Sequence, residues 1–173
     1  MKNIVLTGFM GAGKSVVGRL LAERLGLSVV DTDDVIEEGG MKISEIFAEF
    51  GEPHFRKLES KAVRKVSELK NHVIVTGGGV VLKSENIDTL RKGGTIVYLH
   101  ATPETVFNRV KNETHRPLLQ VADPLGRIKE LLDFRAQFYA NNDIEIDTTK
   151  LSVEEVVEEI IQKINLIKQG RDK

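Results

Sequence analysis

Cysteine and tryptophan are missing from all 173 residues of the chain. Without cysteine there can be no disulfide, no zinc–thiolate site and no thiol nucleophile, and the composition fits a reducing compartment. Aromatic residues make up only 5%, and they are not interleaved with basic residues in the way RNA- or DNA-binding surfaces require. Neither sign of charge dominates. The 25 Lys and Arg face 26 Asp and Glu, so a net charge of −1 gives no general attraction to nucleic acid or to an anionic membrane. No apolar run approaches the roughly 20 residues of a membrane span. His54, His72, His100 and His115 lie scattered along the chain without metal-ligand spacing, and they read as solvated or internally satisfied histidines.

What is present begins almost at once. Gly8-Phe9-Met10-Gly11-Ala12-Gly13-Lys14-Ser15 satisfies every fixed position of the phosphate-loop pattern G-x-x-x-x-G-K-[ST]. The glycines let the backbone curl so that successive N–H groups face one hollow that suits a polyphosphate. In such a loop the lysine reaches the β- and γ-phosphates and the serine hydroxyl is a ligand for Mg²⁺. The flanks agree with this. Residues 2–6 form an apolar run of strand length, and residues 16–25 carry apolar side chains at helical spacing. A strand, the loop and then a helix N-terminus is the setting the motif needs. The candidate nucleotide contacts are therefore Gly11, Ala12, Gly13, Lys14, Ser15 and Val16. The motif lies too near Met1 for a cleaved leader to precede it, so the cytoplasm is the expected location.

Strand-like runs recur at 4–6, 28–31, 73–76, 95–99 and 144–147. Helical patterns fill 16–25, 43–50, 52–69, 85–91, 102–110, 124–139 and 152–167. Thr102-Pro103-Glu104 reads as an N-cap followed by proline at the first helical position, and Ser152 with Glu155 reads as a capping box. Strands alternating with helices predict a single α/β domain, a parallel sheet covered on both faces. In such sheets ligands bind beyond the carboxyl ends of the strands. Gly8, Asp31 to Asp33, Gly77 to Gly79 and Asp147 would then meet at one crevice. The polar stretch 168–173 is expected to fray.

A phosphate loop does not name the acceptor. Asp31-Thr32-Asp33 follows the second strand, so one carboxylate could hold Mg²⁺ directly or through water while another accepts a bond from a substrate hydroxyl. A plain Asx turn capping a helix remains the competing reading. Gly77-Gly78-Gly79 follows the third strand and would let a ligand approach backbone N–H groups closely. Arg56, Arg116 and Arg135 are candidate anion ligands only if the fold brings them together, since single arginines are usually solvated.

These elements in this order resemble the shikimate kinases, small P-loop kinases of aromatic amino-acid biosynthesis. The likeness rests on Gly8 to Ser15, Asp31-Thr32-Asp33, Gly51-Glu52 with Phe55-Arg56 and Glu59, Gly77-Gly78-Gly79, Arg116-Pro117-Leu118-Leu119, and Arg135 with Tyr139. It implies a three-layer α/β/α P-loop NTPase fold with a five-stranded parallel sheet. The core would be 1–32, 70–110 and 124–167, with a helical substrate-binding insertion at 33–61 and a mobile lid at 111–123. It implies transfer of the γ-phosphoryl of ATP to the 3-hydroxyl of shikimate, with Mg²⁺ as cofactor, by a monomer that binds neither nucleic acid nor membrane. The implied shikimate ligands are Asp33, Arg56, Gly77, Gly78, Gly79 and Arg135, with Glu59 fixing the arginines. Arg109 would stack on adenine and Asp31 would bind Mg²⁺ through water beside Ser15. Lys14, Asp33 and Arg116 would carry the catalysis. One departure is visible: Gln137-Phe138 stand where the family often has proline and leucine, so a slightly altered helix end is expected.

The competing acceptors are gluconate and nucleoside monophosphates. A nucleotide-dependent switch is disfavoured, because neither Asn112-Glu113 nor Asn142-Asp143 supplies a guanine-binding Asn-Lys-x-Asp signature.

Overall fold

The computed structural model describes residues 2–113 and 120–171. Five strands, β1 (Asn3–Thr7), β2 (Ser28–Asp31), β3 (His72–Val75), β4 (Gly94–His100) and β5 (Ile144–Asp147), form one sheet in the order β2-β3-β1-β4-β5. Every pairing is parallel. The expected five-stranded α/β sheet is the observed one. β1 is central and buried along its whole length.

The period of two along a strand sorts side chains between two faces. Ile4 and Leu6 of β1 join Val73, Val75, Val97, Leu99, Ile144 and Ile146 on one face. Helices α1 (Lys14–Leu25) and α7 (Val153–Arg171) cover that face through Val17, Leu21, Val157 and Ile160. Val5, Ile74 and Ile96 point the other way. They pack under α3 (Ile43–Ser67), α4 (Ser84–Gly93), α5 (Pro103–Val110) and α6 (Pro124–Tyr139). A smaller cluster of Ile36, Ile46, Phe55 and Ala62 lies where α2 (Thr32–Glu37) meets α3. The layering is thus helix, sheet, helix.

The expected helix ends are largely those observed. Thr102 caps α5 by accepting from the Thr105 N–H at 3.3 Å, with Pro103 at the first position. Ser152 and Glu155 exchange the two bonds of a capping box at 2.7 and 3.2 Å. The patterns at 43–50 and 52–69 are one continuous run broken at Gly51, whose φ of 77° is not helical. α7 continues to Arg171, into the tail expected to fray, because its Lys, Gln and Arg are good helix formers. α6 runs through Gln137 and Phe138 to Tyr139, since neither residue removes a backbone donor as proline would. The short α2 and the 3₁₀ turn Val80–Leu82 were not resolved by sequence pattern, being shorter than two helical turns.

Candidate active site

Parallel pairing sends the ends of all five strands to the same edge. Beyond β1 the chain turns through Gly8, Gly11 and Gly13, with φ of 147°, 71° and 91°, conformations that disfavour any side chain. α1 then starts at Lys14, and its first turn holds no acidic residue that would neutralise the positive end of the helix dipole. Lys14 donates from Nζ to the carbonyls of Gly8 at 2.7 Å and Phe9 at 2.9 Å, arching over the loop. On the outer flank Arg109 of α5 donates to Gly11 O at 3.0 Å, to Thr148 Oγ1 at 3.0 Å and to Thr148 O at 2.8 Å. It ties the loop to the turn after β5.

The second strand delivers the acids. Asp31 accepts the Asp33 N–H at 2.9 Å and so caps α2. The Asx geometry foreseen as the plain reading is therefore real, and it is also what aims Asp33 at the loop after β3. Buried Thr32 accepts the Gly77 N–H at 3.1 Å. A Cβ on Gly77 would lie 2.7 Å from Asp33 Oδ1, so glycine is what lets that carboxylate approach. Burial pushes the Asp33 carboxyl up to about 6, helped by the neighbouring charges of Asp31 and Glu59 and opposed by Lys14. Asp31 is also raised, chiefly by burial, with its hydrogen bond to Asp33 working the other way.

Arg56 and Arg135 converge on Gly78 and Gly79. Arg56 Nη1 donates to both oxygens of Glu59 at 3.0 Å, and its Nε and Nη2 donate to Glu52 at 3.2 and 3.0 Å. A Cβ on Gly79 would overlap the Arg56 guanidinium. Burial pushes the Glu59 carboxyl up, and the charges of Arg56 and Arg135 pull it back. Arg135 of α6 is 8% exposed, with its guanidinium carbon 5.5 Å from the Phe9 ring centroid. A Cβ on Gly78 would lie 3.7 Å from Arg135 Nη1 and 3.5 Å from the Met10 amide nitrogen, so the glycine run separates Arg135 from the phosphate loop by little more than a backbone.

Among the described residues, three buried side-chain atoms have no hydrogen-bond partner: Asp33 Oδ1, Arg135 Nε and Ser60 Oγ. Buried polar atoms are almost always paired. Two of these three, an acceptor and a donor, belong to residues that border the Gly77–Gly79 run. Together with Arg56 they offer a small polar ligand a carboxylate clamp and a hydroxyl acceptor next to a polyphosphate loop.

Comparisons with known proteins identify the family. The family profile described as shikimate kinase matches residues 10–165. The chain belongs to the shikimate kinase family. A shikimate kinase of Thermodesulfovibrio yellowstonii is 50% identical over 172 residues, covering 99% of each chain. One from Caldanaerobacter subterraneus is 52% identical over 163 residues, covering 94% of this chain and 95% of the relative. The solved structure of a shikimate kinase from Acinetobacter baumannii in complex with shikimate superposes with a TM-score of 0.92 at 36% identity, covering 97% and 95% of the two chains.

Lys14, Ser15, Asp31, Asp33, Arg56, Gly77 to Gly79 and Arg135 come to one edge of the sheet, as the family resemblance anticipates. Arg116 lies outside the described residues. Asp147, expected in the same crevice, ends the edge strand opposite β2 and faces His100 at 3.9 Å. Three contacts were not anticipated from the sequence, although Glu52 and Tyr139 stand among the motif residues. Tyr139 OH donates to Gly78 O at 2.6 Å, and its ring stacks on Tyr98 at 4.8 Å. Glu52 pairs with Arg56. For Glu52–Arg56 the one-turn spacing was the available clue.

Proposed function

We propose that this chain transfers the γ-phosphoryl group of ATP to the 3-hydroxyl of shikimate, giving shikimate 3-phosphate and ADP. The observation that carries the reading is the pair of arginines from separate elements, Arg56 and Arg135, flanking Gly78–Gly79 with Asp33 against Gly77 and the phosphate loop alongside. Planar guanidinium forks suit a carboxylate better than an ammonium does.

Gly11, Ala12, Gly13, Lys14, Ser15 and Val16 hold the ATP phosphates, and Arg109 flanks the base. Arg56, Arg135 and the Gly78 and Gly79 backbone hold the shikimate carboxylate. Asp33 accepts from the ring hydroxyl that is phosphorylated and orients it. Phosphoryl transfer runs through a loose transition state, so positioning and charge neutralisation carry most of the catalysis. Lys14 neutralises charge on the nucleotide side. By the family resemblance Arg116 neutralises the transferring group.

Among the described residues no cluster of three His, Cys, Asp or Glu side chains forms a metal cage. Mg²⁺ keeps waters and takes few protein carboxylates, so one hydroxyl and one water-bridged acid beside the phosphates suffice for it. The Ser15 hydroxyl, and Asp31 through water, would hold it, and when bound it supplies positive charge to the β- and γ-phosphates. Asp31 and Lys14 act on one another electrostatically, as expected of groups that share one phosphate site. The same reading has the chain work as a cytoplasmic monomer, with neither nucleic acid nor membrane as partner.

Arg135→Ala tests the clamp. Titration calorimetry should show shikimate binding weakened by roughly tenfold or more, the scale of a lost charge-assisted pair, with ATP affinity changed little. Equal loss for both ligands would contradict the carboxylate grip.

A further inference from the structure

Arg56 is held by two glutamates of its own helix, and they differ in kind. Glu59, three residues later, is 1% exposed and receives Nη1 on both oxygens. Glu52, four residues earlier, has a side chain 58% exposed. One of its oxygens, Oε1, takes both Nε and Nη2. The Nε–Nη2 edge is a side on which a guanidinium makes a two-pronged bond with a planar carboxylate. A surface carboxylate of the protein thus sits on a fork that a substrate carboxylate would use.

We infer that Glu52 is an internal competitor for the substrate carboxylate, holding the Nε–Nη2 edge of Arg56 until the substrate takes it and thereby setting how tightly the substrate binds. The inference rests on the shikimate-phosphorylating reading proposed above. Three features allow the exchange. Arg56 keeps its orientation without Glu52, because Glu59 grips Nη1, the Phe55 ring lies 5.2 Å from the guanidinium carbon, and the guanidinium packs against Gly79. The Glu52 pair is solvent-exposed, and exposed ion pairs are weakly held. Glu52 also has somewhere to go: it borders a cavity of about 360 Å³ also lined by Asn86 and by Lys83, itself paired with Glu85 at 3.1 Å, so a released carboxylate meets water and a polar lining. Glu59 cannot play this part, since parting it from Arg56 would leave a carboxylate that is 1% exposed without its partner charge.

The arrangement also selects ligands. A polyol ring without a carboxylate cannot displace Glu52, because it offers no charge in exchange.

The test is Glu52→Gln, with Glu52→Ala as a second variant, studied by calorimetry and steady-state kinetics with shikimate and with the same cyclohexene triol lacking its carboxyl group. Both variants should bind shikimate about two- to fivefold more tightly, the scale of an exposed pair no longer competing. The KM for shikimate should fall in parallel, with kcat and the KM for ATP unchanged. Binding of the carboxyl-free triol should not change. Unchanged or weaker shikimate binding in either variant overturns the inference, and so does equal tightening of the triol. Wild-type protein that neither binds nor phosphorylates shikimate contradicts the proposed function as well. Shikimate binding without the tightening contradicts the inference alone.

Discussion

Asp33 and Gly79 show at the scale of single residues how the site is made. The Asp33 carboxyl titrates near 6 in the folded chain against 3.8 for an ordinary aspartate, so the fold takes up this proton more readily than the unfolded chain does. Its contribution to stability is fully present below about pH 4 and is lost as pH rises through about 6. Asp33→Asn should therefore raise stability at pH 7.5 by about 1–3 kcal/mol, with the advantage closing toward pH 4, as read from urea unfolding at several pH values. In the wild type, kcat/KM for shikimate should show an acid limb near pH 6 that the asparagine variant lacks. A profile flat from pH 5 to 8 would remove Asp33 as the hydroxyl acceptor. Gly79→Ala puts a methyl group where the Arg56 guanidinium lies, and the KM for shikimate should rise about tenfold or more, with the KM for ATP held. The chemical types at these positions were legible in the chain, because acids and glycines directly after apolar strand runs have few structural uses. The Glu52–Arg56 pairing was not, since a one-turn spacing of opposite charges is common on any solvated helix.

At the scale of elements, the site is assembled from loop ends and helix starts. β1 hands over to α1 through the phosphate loop, β2 to α2 through the Asp31 cap, and β3 to the 3₁₀ turn through the glycine run. α5 brings Arg109 and α6 brings Arg135. The cap of α5 can be removed without touching the site. Thr102→Ala should lower stability by about 1 kcal/mol, and Tm by about 2–4 °C, while turnover at 25 °C stays at the wild-type level. A loss of turnover with unchanged Tm would mean that Thr102 acts on the site directly. Long periodic helices and their caps were readable because side-chain pattern and cap chemistry agree. α2 was weighed only as the helix behind a competing Asx-cap reading, because it is shorter than two turns and its capping acid also looks like a ligand. The arginines' convergence was readable only through the family resemblance and not from side-chain pattern: α3 and α6 lie far apart in the chain, and only packing over the same sheet face brings them to the glycines.

For the molecule as a whole, five parallel strands bring scattered motifs to one edge, with the glycine-rich loop at the centre and Arg56 and Arg135 beside the glycine run. Family membership and this geometry converge on one acceptor, and that acceptor is the central claim. The direct measurement is ADP release, coupled to product detection, with ATP and Mg²⁺ and a panel of shikimate, gluconate and nucleoside monophosphates. The account predicts robust ADP release with shikimate, stoichiometric with a product phosphorylated at the 3-hydroxyl, its loss in Lys14→Ala, and background rates with the other acceptors. ADP release driven equally well by gluconate or a nucleoside monophosphate, or none with shikimate, would contradict it.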